Sequence, residues 1–66
     1  MDFGELLSHE RSRQGLTLAA LSKMTGLPIT TIHNYERGSE PTLSKADVIL
    51  KALGIGITIG VQKKKE

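Results

Sequence analysis

The sequence predicts a mostly α fold, a bundle of four helices followed by one C-terminal β-strand. Three observations predict it. Between Thr17 and Gly38, the residues Leu21, Thr25, Leu27, Ile32 and Tyr35 recur at spacings that let two short helices share one inner face. Apolar residues at helical spacing flank that stretch: Phe3, Leu6 and Leu7 before it, then Leu43, Ala46, Ile49, Leu50 and Leu53 after it. From Ile55 the period changes to two. Ile55, Ile57, Ile59 and Val61 alternate with Gly56, Thr58 and Gly60, the pattern of a half-buried strand.

The first helix is expected over residues 2–14, with Asp2 as its cap and Glu5 as the capping-box partner three residues on. Its second half, from His9 to Gln14, is polar, and Gly15 ends it. Leu16 enters the core and Thr17 caps a second helix from Leu18 to Thr25. Gly26 closes that helix, because the residue past a helix end commonly needs positive φ and glycine meets that at low cost. Leu27 plugs the turn, and small Ser22 lets the next helix cross close by. Pro28 is expected to start the third helix, where its missing N–H has no intrahelical partner to lose, and Arg37 to end it. After the loop Gly38–Pro41, Thr42 caps a fourth helix from Leu43 to Leu53, whose five apolar residues are expected to close the core. Two short helices around such a tight turn form a helix-turn-helix, a unit that places its second helix in the major groove of DNA.

With 66 residues the chain is expected to be one domain near the lower size limit for independent folding. The expected division is 1–54 for the helical domain, 55–62 for the strand and 63–66 for a basic tail. Cysteine is absent, so neither a disulfide framework nor thiolate chemistry is available. No stretch approaches the ~20 apolar residues of a membrane span, and the N-terminus lacks the pattern of a signal peptide. These features fit a cytoplasmic protein that engages no membrane. The net charge is only +2. Three of the nine basic residues are Lys63, Lys64 and Lys65, which read either as a solubilising end or as phosphate contacts. A DNA-binding role would therefore rest on few cations plus backbone amides, or on a dimer that doubles them.

The ordered set Gly15-Leu16-Thr17, Leu21, Gly26-Leu27, Thr31-Ile32, Glu36-Arg37-Gly38 and Ala52-Leu53-Gly54-Ile55 resembles the Cro/C1-type (XRE) helix-turn-helix regulators. That family includes phage repressors and bacterial antitoxins. The resemblance runs from about Phe3 to Ile55 and implies a lambda-repressor-like bundle. The strand departs from the many relatives that continue with a fifth helix, and looks like the C-terminal strand of some antitoxins. The family pattern places Ile29, Thr30, His33 and Asn34 at the groove-facing positions. Asn34 can donate and accept at once, which matches adenine N6 and N7. Thr30 can hydrogen-bond a base edge or pack on a thymine methyl, and Ile29 can make only apolar contacts. His33 is read as a base contact, a phosphate contact or a plain solvated residue. No Arg faces the groove, so contacted positions rich in A·T are expected. Phosphate contacts are expected from Thr17 and the free N–H groups near Leu18, and from Arg37, Ser39 and Thr42, with Arg13 and Lys45 as further candidates. Relatives usually carry Gln where this chain has Leu18. The resemblance also implies a partly buried ion pair between Arg11 and Glu36.

Catalysis finds no support. His9-Glu10 is not a zinc-binding HExxH, because position 13 is Arg, and neither a nucleophile elbow nor a phosphate-cradling Gly-rich loop is present. No metal site or cofactor is expected. Three readings fit: a sequence-specific repressor on double-stranded DNA, an antitoxin that also holds a toxin protein, and a controller protein of a restriction–modification system. A lone strand would have two open edges. Pairing with the same strand of a second copy, antiparallel across a twofold axis, would remove one of them. The expected homodimer interface is Ile55, Ile57, Thr58, Ile59 and Val61.

Overall fold

The computed structural model describes residues 2–55, and these form four helices. They are α1 (Phe3–Arg13), α2 (Leu18–Thr25), α3 (Ile29–Glu36) and α4 (Leu43–Ala52). Side chains cap three of the four starts. The Glu5 N–H donates to Asp2 Oδ1 at 2.9 Å, the Ala20 N–H to Thr17 Oγ1 at 2.9 Å and the Lys45 N–H to Thr42 Oγ1 at 3.3 Å. Each bond satisfies one of the donors that a helix start leaves without an intrahelical partner. Only this first half of the capping box forms at Asp2 among the described residues.

Helix α3 starts differently. Pro28 takes an extended conformation (φ −60, ψ 148) and stands just outside the helix instead of as its first residue. Its carbonyl still accepts from the Ile32 N–H at 3.2 Å, so proline occupies the capping position with no side-chain bond of its own. The far ends of α1, α3 and α4 each stop one residue earlier than their periodicity suggested. Gln14, Arg37 and Leu53 are caps, and each is followed by a paired closure of backbone bonds. In α1 the bonds run from Gly15 to Ser12 and from Leu16 to Arg11, both at 3.0 Å. Helix α2 ends on the single-bond form, with Gly26 at φ +77 and its N–H on Ser22 O at 2.8 Å.

The core is Leu7, Leu21, Ile32, Tyr35, Ile49 and Leu53, with Phe3, Leu16, Leu18, Leu27, Ala52 and Ile55 packed around it. Helix α3 packs on both α1 and α2, and α4 packs on α2. Phe3 meets Tyr35 edge to face with ring centroids 6.5 Å apart. Gly4 allows α1 to lie against the end of α3: a Cβ there would stand 2.5 Å from the Tyr35 carbonyl oxygen and 3.1 Å from that of Glu36.

Leu43 is a correction to the expected core. It fits the helical period of α4, yet it is 79% exposed. It is the first residue of the helix, and helical side chains lean toward the N-terminus, so it reaches past the helix end and away from the core. Ile55 closes α4 through its N–H on Leu50 O (3.0 Å) and packs against the core. The rest of the expected dimer strand, Ile57, Thr58, Ile59 and Val61 included, lies outside the described residues, as does the Lys63–Lys65 run.

Candidate nucleic-acid interface

The turn between α2 and α3 is held by side chains as well as by backbone. Ser22 Oγ donates to Leu27 O, Thr25 Oγ1 donates to Leu21 O at 2.9 Å, and the Leu27 N–H donates to Thr25 Oγ1 at 3.2 Å. Both backbone groups of Leu27, its N–H and its C=O, are thereby satisfied in a segment too short for its own ladder. The entry angle of α3 follows from this knot, together with the left-handed Gly26.

Helix α3 then presents two unlike faces. Ile32 and Tyr35 point into the core, while Ile29, Thr30, His33 and Asn34 are all exposed on the opposite side. At 3.6 residues per turn those four cover an arc of about 140°. None of their side chains is tied up by a hydrogen bond to another described residue. Ile29, 45% exposed, adds an apolar surface at the first turn beside the hydroxyl, imidazole and amide groups.

The end of α3 and the approach to α2 are tied to one guanidinium. Arg11 Nε donates to Glu36 Oε2 at 2.6 Å and Nη2 to Oε1 at 3.1 Å, while Nη1 donates to Leu16 O at 2.9 Å. The fork therefore fixes the end of α3 and the entry to α2 together. The Glu36 hydrogen bond, and with it the Glu36 charge, pushes the Arg11 guanidinium further up. The pairing also neutralises the carboxylate nearest the end of α3, which would otherwise repel a phosphate.

Thr17 stands at the start of α2 with its hydroxyl occupied as the cap, and the N–H groups of Leu18 and Ala19 find no acceptor among the described residues. The Leu18 side chain turns inward against the core, so that position offers its amide and no side-chain donor. Arg37, Ser39, Thr42 and Lys45 are exposed beyond α3, with Thr42 Oγ1 capping α4. Arg13 is exposed but engaged: its Nε and Nη2 both donate to Glu10 Oε1, at 2.9 and 2.7 Å. That pairing lowers the Glu10 carboxyl below the ordinary carboxylate range and raises the Arg13 guanidinium. Among the described residues no group of three His, Cys, Asp or Glu is placed to hold a metal ion, and no helix is long and apolar enough to cross a membrane.

Two positioning residues went unread in the sequence. Gln14 Nε2 donates to Leu53 O at 2.7 Å and joins the ends of α1 and α4. Gly4 permits the close approach described above. A glycine inside a helical pattern is itself the signal for the second, whereas Gln14 carries no local sign of its distant partner.

A helix-turn-helix whose second helix buries one face and offers a hydrogen-bonding face outward is a DNA-binding fold. A family model described as helix-turn-helix matches residues 9–59. The chain belongs to that family, the Cro/C1-type (XRE) helix-turn-helix regulators, and is a DNA-binding transcriptional regulator. No curated protein and no solved structure matches it.

Proposed function

We propose that this regulator is a repressor that binds a palindromic operator as a homodimer, reading each half-site with Ile29, Thr30, His33 and Asn34. The observation that carries the reading is the outward face of α3: four adjacent residues, exposed and unengaged, on a helix whose other face is locked in the core. Asn34 pairs with adenine N6 and N7, while Ile29 and Thr30 pack on thymine methyls, so the half-site is A·T-rich where it is read. His33 takes a base edge or a phosphate.

Around that face the backbone of the duplex is gripped without sequence information. The free Leu18 and Ala19 amides at the positive end of α2 take one phosphate. Arg37, with Ser39, Thr42 and Lys45, takes the other side. Arg13 joins only by giving up Glu10. Residues 55–61 pair with their copy across the twofold axis, which sets two α3 helices about 34 Å apart, one turn of DNA. The dimer also doubles a net charge of +2 per chain.

The test is selection of a bound sequence from randomised duplexes, followed by footprinting of the selected site. The reading predicts an inverted repeat with A·T at the contacted positions and a protected length spanning two half-sites. Recovery of a single unrepeated element, or of no preferred sequence, would refute it.

A further inference from the structure

A shallow groove of about 400 Å³ opens between the start of α1 and the connection from α3 to α4. Phe3, Pro41, Leu43 and Ala46 supply its apolar lining, and Asp2 and Glu40 stand at its edge. The strongly exposed Leu43 belongs to this groove.

The groove's own lining carries two carboxylates and no cation among the described residues. Among the described carboxylates, Glu10, Glu36 and Asp47 have ion-pair partners in Arg13, Arg11 and Lys51. The three without one among the described residues, Asp2, Glu5 and Glu40, gather at this end: Asp2 and Glu40 line the groove and Glu5 lies in the first turn of α1. An apolar floor with an acidic edge fits a segment that is apolar and then basic. The chain contains one: Ile57, Ile59 and Val61, then Lys63, Lys64 and Lys65.

We propose that the groove seats residues 59–65 of the same chain, with Ile59 and Val61 over Phe3 and Leu43 and the lysines beside Asp2 and Glu40. The reach is sufficient. The Gln14–Leu53 bond sets the end of α4 beside the end of α1, and both helices start at the groove. Returning along the ten residues of α4 means covering about 15 Å. Residues 56–61, extended, cover about 20 Å. This seating consumes the apolar face of the segment and leaves its backbone edges open. It thus names the surface beneath the paired strands of the dimer, and it rests on that reading only for the second strand.

The chain has no cysteine of its own, so cysteine trapping is clean. The full chain carrying Leu43→Cys with Ile59→Cys is oxidised at low protein concentration and compared with Val48→Cys plus Ile59→Cys, since Val48 is exposed on another side of α4. Seating predicts an intrachain disulfide that forms at least about tenfold faster in the Leu43 pair, because the local concentration of the two thiols is raised. Adding Asp2→Asn and Glu40→Gln, which keeps a capping side chain at position 2, should slow the trapping. Equal rates in the two pairs would overturn the proposal. So would crosslinked dimers forming ahead of the intrachain product, which would assign the groove to a second copy. Sedimentation of the unmodified chain reads the dimer separately: a monomer that still traps fast keeps the groove assignment and removes the dimer.

Discussion

The inner and outer faces of α3 are separated by half a helical turn and obey different constraints. On the inner face, Ile32 is fully buried and Tyr35 nearly so, and each is fixed by what it touches: Leu7 and Leu21 in the same core, and the edge of Phe3. On the outer face, Ile29, Thr30, His33 and Asn34 are exposed and make no side-chain bond among the described residues. Under the proposed reading, this helix carries stability and recognition on separable sets of residues. Changes inside should alter folding and take binding down with it. Changes outside should alter binding and leave the fold alone.

The largest expected effect is on the inner face. Ile32→Ala removes a fully buried side chain and should cost roughly 2–5 kcal/mol. That is a large share of the stability open to so small a domain. Thermal unfolding followed by circular dichroism checks it, and a melting temperature near that of the unaltered chain would break the division between faces. Gly4→Ala comes next. The added methyl meets the Tyr35 and Glu36 carbonyls, which are backbone and cannot swing away. A loss of about 1–3 kcal/mol is expected, despite the better helix propensity of alanine. If the chain gained stability instead, α1 would not lie that close to the end of α3.

Arg37→Ala sharpens the comparison from outside. It should leave the melting temperature unchanged, weaken binding to selected and unrelated duplexes alike, and reduce the salt slope by about 1 per chain. Affinity measured across a salt series reads all three. The smallest effect belongs to the Glu10–Arg13 pair. Arg13 holds the Glu10 carboxyl below its ordinary range, so the folded chain binds that proton less readily than the unfolded chain does. The contribution is therefore complete above the ordinary carboxylate range and is lost as pH falls through the lowered value. Arg13 reaches into solvent, which screens the pair, so Glu10→Gln should only slightly flatten the acid side of a melting-temperature profile. The same substitution frees Arg13, and any gain in DNA affinity would place that residue at a phosphate.

Much of this was legible because it is local. The caps Asp2, Thr17 and Thr42, the left-handed Gly26 and the alternation of buried and exposed residues along α3 each follow from a few neighbouring side chains. The outer face of α3 was legible through the family resemblance, which places Ile29, Thr30, His33 and Asn34 toward the groove, and all four are exposed. What escaped is set by distant partners. Leu43 matches the period of its helix, but its place at the first turn sends it over an open groove. Gly4 matters through the carbonyls of Tyr35 and Glu36, and Gln14 through the carbonyl of Leu53, each in another helix.

The most direct test of the separation is a single substitution read in two ways. Asn34→Ala should melt with the unaltered chain, because its side chain supports nothing in the fold. On the selected site its affinity should fall by roughly 1–3 kcal/mol, and the preference at one base pair should relax while the others hold. Unchanged affinity and preference, or a melting temperature that falls together with binding, would contradict the account.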